Sequence, residues 1–113
     1  MRPARACCAI LAGAWVIGGP VSAVSATLAS KVYVVTIENM QFTPQKLTVR
    51  VGDRVQWVNK DLVPHTATAD VKAFDSRSIA PNASWSFVAH RAGEYDYDCT
   101  FHPTMKGTLT VVP

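Results

Sequence analysis

From Lys31 onward, apolar residues recur at every second position, a period that admits strands and excludes amphipathic helices. The runs "KVYVVTIEN", "KLTVRVG", "DRVQWVNKD", "SWSFVAH", "YDYDC" and "GTLTVVP" are rich in β-branched and aromatic residues. Turn formers separate them: Pro44, Gly52-Asp53, Pro64, Pro81-Asn82, Gly93 and Gly107. Short strands at this spacing predict a single all-β domain, an antiparallel sandwich or barrel. Alternation also assigns faces. Leu47, Val49 and Val51 share one, as do Val55 with Trp57, Trp85 with Phe87, and Leu109 with Val111. By the same rule Tyr95, Tyr97 and Cys99 point inward, while Asp96 and Asp98 point to water. Residues 69–83 have weak periodicity and are expected to form a loop holding one short strand at most.

The N-terminus follows a different logic. "MRPARACCAILAGAWVIGGPVSAVSA" sets Arg2 and Arg5 before an apolar run from Ala6 to Ile17, then Gly18, Gly19, Pro20 and small residues. This is the layout of a secretory signal peptide over residues 1–26, with cleavage expected after Ala23 or Ala26. The apolar run falls short of the roughly 20 residues that span a bilayer, so no membrane span is expected after cleavage. Residues 27–113 then form the domain, and Cys99 is its one cysteine, which excludes an intramolecular disulfide. The full chain carries 11 Lys and Arg against 8 Asp and Glu, a net charge of +3, and loss of Arg2 and Arg5 lowers it to +1. The remaining basic residues are scattered singly, without the stripe or patch that nucleic acid requires. A chain of this size supports one compact core, to which a bound metal would add stability.

Chemistry concentrates in "EYDYDCTFHPTMKG", where Cys99, His102 and Met105 follow one another at intervals of three. A strand cannot bring such positions to one point, whereas a tight loop leaving a strand can. A fourth donor comes from "NKDLVPHTAT": His65 follows the Trp57 strand, and Pro64 keeps Val63 extended ahead of it. Read singly, each has a packing explanation: a small buried thiol, two loop histidines, a core-filling methionine. Together they make the donor set of a blue-copper site, a His2Cys plane with a long, weak axial Met. Thiolate and thioether favour copper; zinc gains little from a methionine. His90, in "AHRAGEY", has no such companions and reads as a turn residue.

On these residues the chain resembles the cupredoxin family. "MQFTPQKLTVRVGDRVQWVNKDLVPHTAT" is similar to the family's first half, and "AGEYDYDCTFHPTMKGTLTVV" to its C-terminal half. "CTFHPTM" resembles the short ligand loop of its amicyanin and plastocyanin branch. The resemblance implies a Greek-key β-sandwich holding one type 1 copper per chain through His65, Cys99, His102 and Met105. It implies a periplasmic electron shuttle, not an enzyme, and a monomer that meets redox proteins transiently. A dehydrogenase as donor and a c-type cytochrome as acceptor are the partners it suggests, docking on an apolar rim of Val63, Pro64, Phe101 and Pro103. One position departs from the pattern. Thr66 stands where the family usually has an asparagine that ties the two ligand loops and bonds near the cysteine sulfur, a contact that tunes potential and orientation.

Three other readings use the same residues. A periplasmic copper carrier or store would share the ligands, but the chain has no methionine-rich tract. A metal-free β-sandwich interaction module would leave Cys99 as packing. A Cys99–His102 nucleophilic pair lacks an orienting group or oxyanion motif in the sequence, so catalysis is not expected.

Overall fold

Eight strands realise the alternation in the computed structural model, which describes residues 3–4, 12–20 and 29–113. Both expected cleavage positions, Ala23 and Ala26, and the leader's Cys7 and Cys8 lie outside those residues. The strands are β1 (Val32–Glu38), β2 (Gln41–Thr43), β3 (Lys46–Arg50), β4 (Arg54–Asn59), β5 (Thr68–Ala69), β6 (Ser84–Val88), β7 (Gly93–Cys99) and β8 (His102–Val112). They form two four-stranded sheets, ordered β2-β1-β4-β6 and β3-β8-β7-β5. No helix occurs among the described residues.

The all-β sandwich agrees with the periodicity, but its sheets are mixed where wholly antiparallel pairing was expected. β1 runs parallel to β4, with Val35 opposite Trp57, and β3 runs parallel to β8, with Leu47 opposite Leu109. The cause is connectivity. After the β1–β2 hairpin the chain crosses to the second sheet for β3 and returns for β4, so β4 lies beside β1 in the same direction. Period two fixes the face a side chain takes, not the direction of the strand beside it.

Between the sheets lie Val35 and Ile37 of β1, Val49 of β3, Val55 and Trp57 of β4, Tyr97 and Cys99 of β7, and Leu109 and Val111 of β8, all buried. Val51 departs from its assigned face and is 45% exposed. The chain already turns there, into a Gly52 with φ of 96°, and the alternation has ended. Residues 69–83 are mostly loop, as expected, yet they seal one side of the core with Phe74 and Ile79. Trp57 sits at the middle of the aromatic cluster, its ring centroid 5.3 Å from Phe74, 5.5 Å from Tyr97 and 5.6 Å from Trp85. Burial pushes the Tyr97 hydroxyl up to about 12.

Gly107 lies opposite Tyr97 in the β7–β8 ladder, and a Cβ there would come within 2.5 Å of the Tyr97 hydroxyl. Only a residue without a side chain lets the ring lie across β8. Gly107→Ala is expected to destabilise the fold by about 1–3 kcal/mol, the usual cost of overpacking, as a lowered urea midpoint at unchanged slope.

Asp53 opens β4 and stitches three chain segments. Its carboxylate accepts the N–H groups of Lys31 and Arg50, each at 2.9 Å, and its carbonyl accepts that of Ala89 at 2.9 Å. The Lys31 N–H, then the Arg50 N–H, hold its carboxyl below the ordinary value of 3.8. A depressed carboxyl stabilises the fold fully above its unfolded pKa, and the contribution is lost as pH falls through the folded one. Asp53→Asn should therefore lower stability at neutral pH and flatten the acid limb of a stability–pH curve measured by urea unfolding between pH 7 and pH 2.

Candidate metal centre

The loop that delivers His65 is built by the residue ending β4. Asn59, fully buried, donates its carboxamide to the carbonyls of Val63 and Ile79, both at 2.9 Å, and accepts the Asp61 N–H at 2.9 Å. These bonds shape the loop from Lys60 to Pro64. His65 then exchanges backbone hydrogen bonds with Ile79, at 3.2 and 2.7 Å, and is itself buried. Its ring is oriented by Asp61, whose Oδ2 accepts a hydrogen bond from Nε2–H at 2.7 Å and leaves Nδ1 free.

Asp61 has a second task. Asn39 and Met40 form the two-residue turn joining β1 to β2, with φ of 55° and 59°, a left-handed pair that hairpins favour but a methionine rarely adopts. Their N–H groups donate to Asp61 Oδ1 and Oδ2 at 2.7 and 3.0 Å. Burial raises the Asp61 carboxyl, but the Met40 N–H, the His65 ring and the Asn39 N–H outweigh it and hold the group below its ordinary range.

Cys99 and His102 face one another across the two-residue turn Thr100-Phe101, and the β7–β8 register shifts at Asp98/Cys99. Such an irregularity re-aims side chains at a strand end. Cys99 Sγ lies 3.6 Å from His65 Nδ1 and 3.7 Å from His102 Nδ1, and the donor atoms of all three residues fall within 4.8 Å of one another. Two donors about 2.0 and 2.3 Å from a common ion, at trigonal or tetrahedral angles, stand roughly 3.5–3.7 Å apart. The measured separations fit one metal ion held by one sulfur and two imidazoles. Met105, the fourth candidate, is buried three residues beyond His102 in β8. His90 is exposed and is not part of the group formed by His65, Cys99 and His102.

Thr66 keeps the tie between the ligand loops despite lacking an amide. Its N–H donates to Cys99 Sγ at 3.3 Å, and its hydroxyl accepts the Thr100 N–H at 2.8 Å. Sequence reasoning overlooked Asp61 and Asn59. The available signal was a carboxylate four residues before a histidine in a loop, a spacing without meaning until the loop's path is known. His102 is half-buried, and the apolar residues that flank the two histidines in the chain are exposed: Phe101 is 50% exposed, Val63 41% and Leu62 94%, with Pro64 and Pro103 also exposed.

Residues 8–111 match the family model described as a cupredoxin-like domain. Amicyanin of Paracoccus versutus is 30% identical over 98% of this chain and 95% of its own length. Plastocyanin of Scenedesmus fuscus is 35% identical over 62% of this chain and 85% of its own. Among solved structures, an amicyanin variant in its Cu(I) form superposes with a TM-score of 0.68 at 33% identity, covering 75% of this chain and 86% of that one. The two mixed sheets, the thiol and paired imidazoles at one end of them, and these likenesses agree, and the chain belongs to the cupredoxin family.

Proposed function

We propose that this chain is a periplasmic blue-copper electron carrier in which His65, Cys99 and His102 would hold one copper ion, with Met105 as a weak fourth donor. The observation that carries the reading is the convergence of one buried thiol and two imidazole Nδ1 atoms at 3.6 and 3.7 Å. The bound ion supplies one electron at a time, between Cu(I) and Cu(II), in a donor set suited to both states. His65, Cys99 and Met105 are buried and shield the centre from water. Asp61 fixes the His65 tautomer, and the Thr66 N–H supports the negative charge of the thiolate.

Of the four ligands His102 alone is part exposed, and the exposed apolar residues that flank the two histidines in the chain, Val63, Pro64, Phe101 and Pro103, form the docking rim in this reading. A small apolar patch suits brief docking more than a permanent complex, so the protein works as a monomer that visits its partners. The relatives are electron carriers and not enzymes. Periplasmic residence is supported by the signal-peptide layout of residues 1–26. A dehydrogenase donor and a c-type cytochrome acceptor are the pairing that the short-loop resemblance supports.

A redox titration in the presence of a Cu(I) chelator tests the reading. The copper-loaded protein should bleach and recover reversibly with one-electron stoichiometry, keeping its ion throughout. Surrender of the copper on first reduction would favour a carrier delivering Cu(I), and a protein that never colours would sink the blue-copper assignment.

A further inference from the structure

Three hydroxyls meet beside the Cys99 sulfur. Thr66 and Thr68 Oγ1 lie 3.0 Å apart, and each lies 3.2 Å from Thr100 Oγ1. Thr68 Oγ1 also reaches Asp75 Oδ1 at 3.1 Å. Asp75 is exposed but fixed, since the same oxygen accepts the Arg77 N–H at 2.8 Å and its backbone forms a β-bridge with Thr68. A hydroxyl has one proton to give and a carboxylate only accepts. Thr68 must then give its proton to Asp75, and the other two hydroxyls run toward it in one of two orders, Thr66 to Thr100 to Thr68 or Thr100 to Thr66 to Thr68. In either order Thr66 Oγ1 keeps a lone pair for the Thr100 N–H, 2.8 Å away.

We propose that Asp75 is a positioning residue for the metal centre, acting through Thr68, Thr100 and Thr66 to hold the N–H that donates to Cys99 Sγ. The carboxylate sets the direction of the hydroxyl chain, and the chain locks the His65 loop to the Cys99 loop where an amide side chain is absent. The inference deepens the metal-binding reading and rests on it only for the redox half of its test. A firm N–H···S bond drains electron density from sulfur and favours the reduced ion, so loosening it lowers the reduction potential.

The test reads amide hydrogen exchange in the metal-free full chain and, separately, the potential and charge-transfer band after copper loading. Thr66→Val should speed exchange of the Thr100 N–H about tenfold, the equivalent of one lost hydrogen bond, and Thr66→Ser should restore it. Asp75→Ala should speed exchange at both Thr66 and Thr100, lower the potential and shift the band; Asp75→Asn, which keeps an acceptor oxygen, should return all three to wild type. Wild-type exchange and potential in Asp75→Ala would overturn the proposal, even with Thr66→Val behaving as expected. If the wild type shows no band with Cu(II), the metal reading fails, and exchange at the two amides still decides whether the hydroxyl chain exists. Asp75 lies on the surface, so its variants keep the test open should Thr66→Val not fold.

Discussion

Cys99→Ala is expected to abolish the intense visible band of the copper-loaded protein and to weaken copper binding by more than about 100-fold, since loss of an outer partner alone costs 10–100-fold. The band needs a thiolate bound to Cu(II), and Cys99 is the only thiol among the described residues. His65 and His102 would remain, but two imidazoles 5.0 Å apart between ring centroids, without the sulfur that joins them, make an ordinary weak site. The substitution removes one sulfur from a buried strand end, so far- and near-UV dichroism should stay close to wild type. Visible absorption and copper titration on the same sample check the result. An undiminished band would place the thiolate elsewhere and overturn the centre; a lost band with lost dichroism would report unfolding instead.

Trp57→Ala carries the largest expected loss of stability, about 3–5 kcal/mol. The ring is fully buried and touches residues from both sheets and from the 69–83 loop, so no neighbour can collapse into its space without giving up another contact. A domain of this kind holds about 5–15 kcal/mol in total, so the metal-free variant should be largely unfolded well below the wild-type urea midpoint. Copper at about 1,000 times its dissociation constant returns about 4 kcal/mol, and the loaded variant should regain much of its transition. Trp57→Phe should cost less. The indole Nε1 is buried without a hydrogen bond of good geometry, its one candidate acceptor among the described residues being the Tyr97 hydroxyl, and a phenyl ring removes that poorly paired donor. A loss under about 1 kcal/mol in Trp57→Ala would mean that the aromatic cluster is not what joins the sheets.

Six of the eight strands and their buried faces were legible because alternation is a local property, written within each run of five to nine residues; β2, β5 and the first five residues of β8, from His102 to Lys106, were not. Pairing was not: β1 against β4 and β3 against β8 depend on where the chain crosses between sheets, which no single run records. The face of Val51 was missed because period two continues one residue past the point where the backbone turns. At the centre, Cys99, His102 and His65 were legible from chemistry, since thiol and imidazole donors are few in this chain. Asp61 and the Thr66, Thr68, Thr100 group were not. Aspartate and threonine are common in loops, and what sets these apart is the 2.7–3.2 Å at which folding places them.

The two clamping aspartates share a design at opposite poles of the sandwich. Asp53 stands where β4 begins and bridges the N–H groups of Lys31 and Arg50; Asp61 stands beyond its end and bridges those of Asn39 and Met40. Both carboxyls are held below the ordinary range, so each contribution persists from neutrality down through that range and is lost as pH falls further. Acid therefore acts on the molecule at both ends of β4. Protonation of Asp53 loosens the seam that gathers the strand ends, and protonation of Asp61 loosens the seam that aims His65.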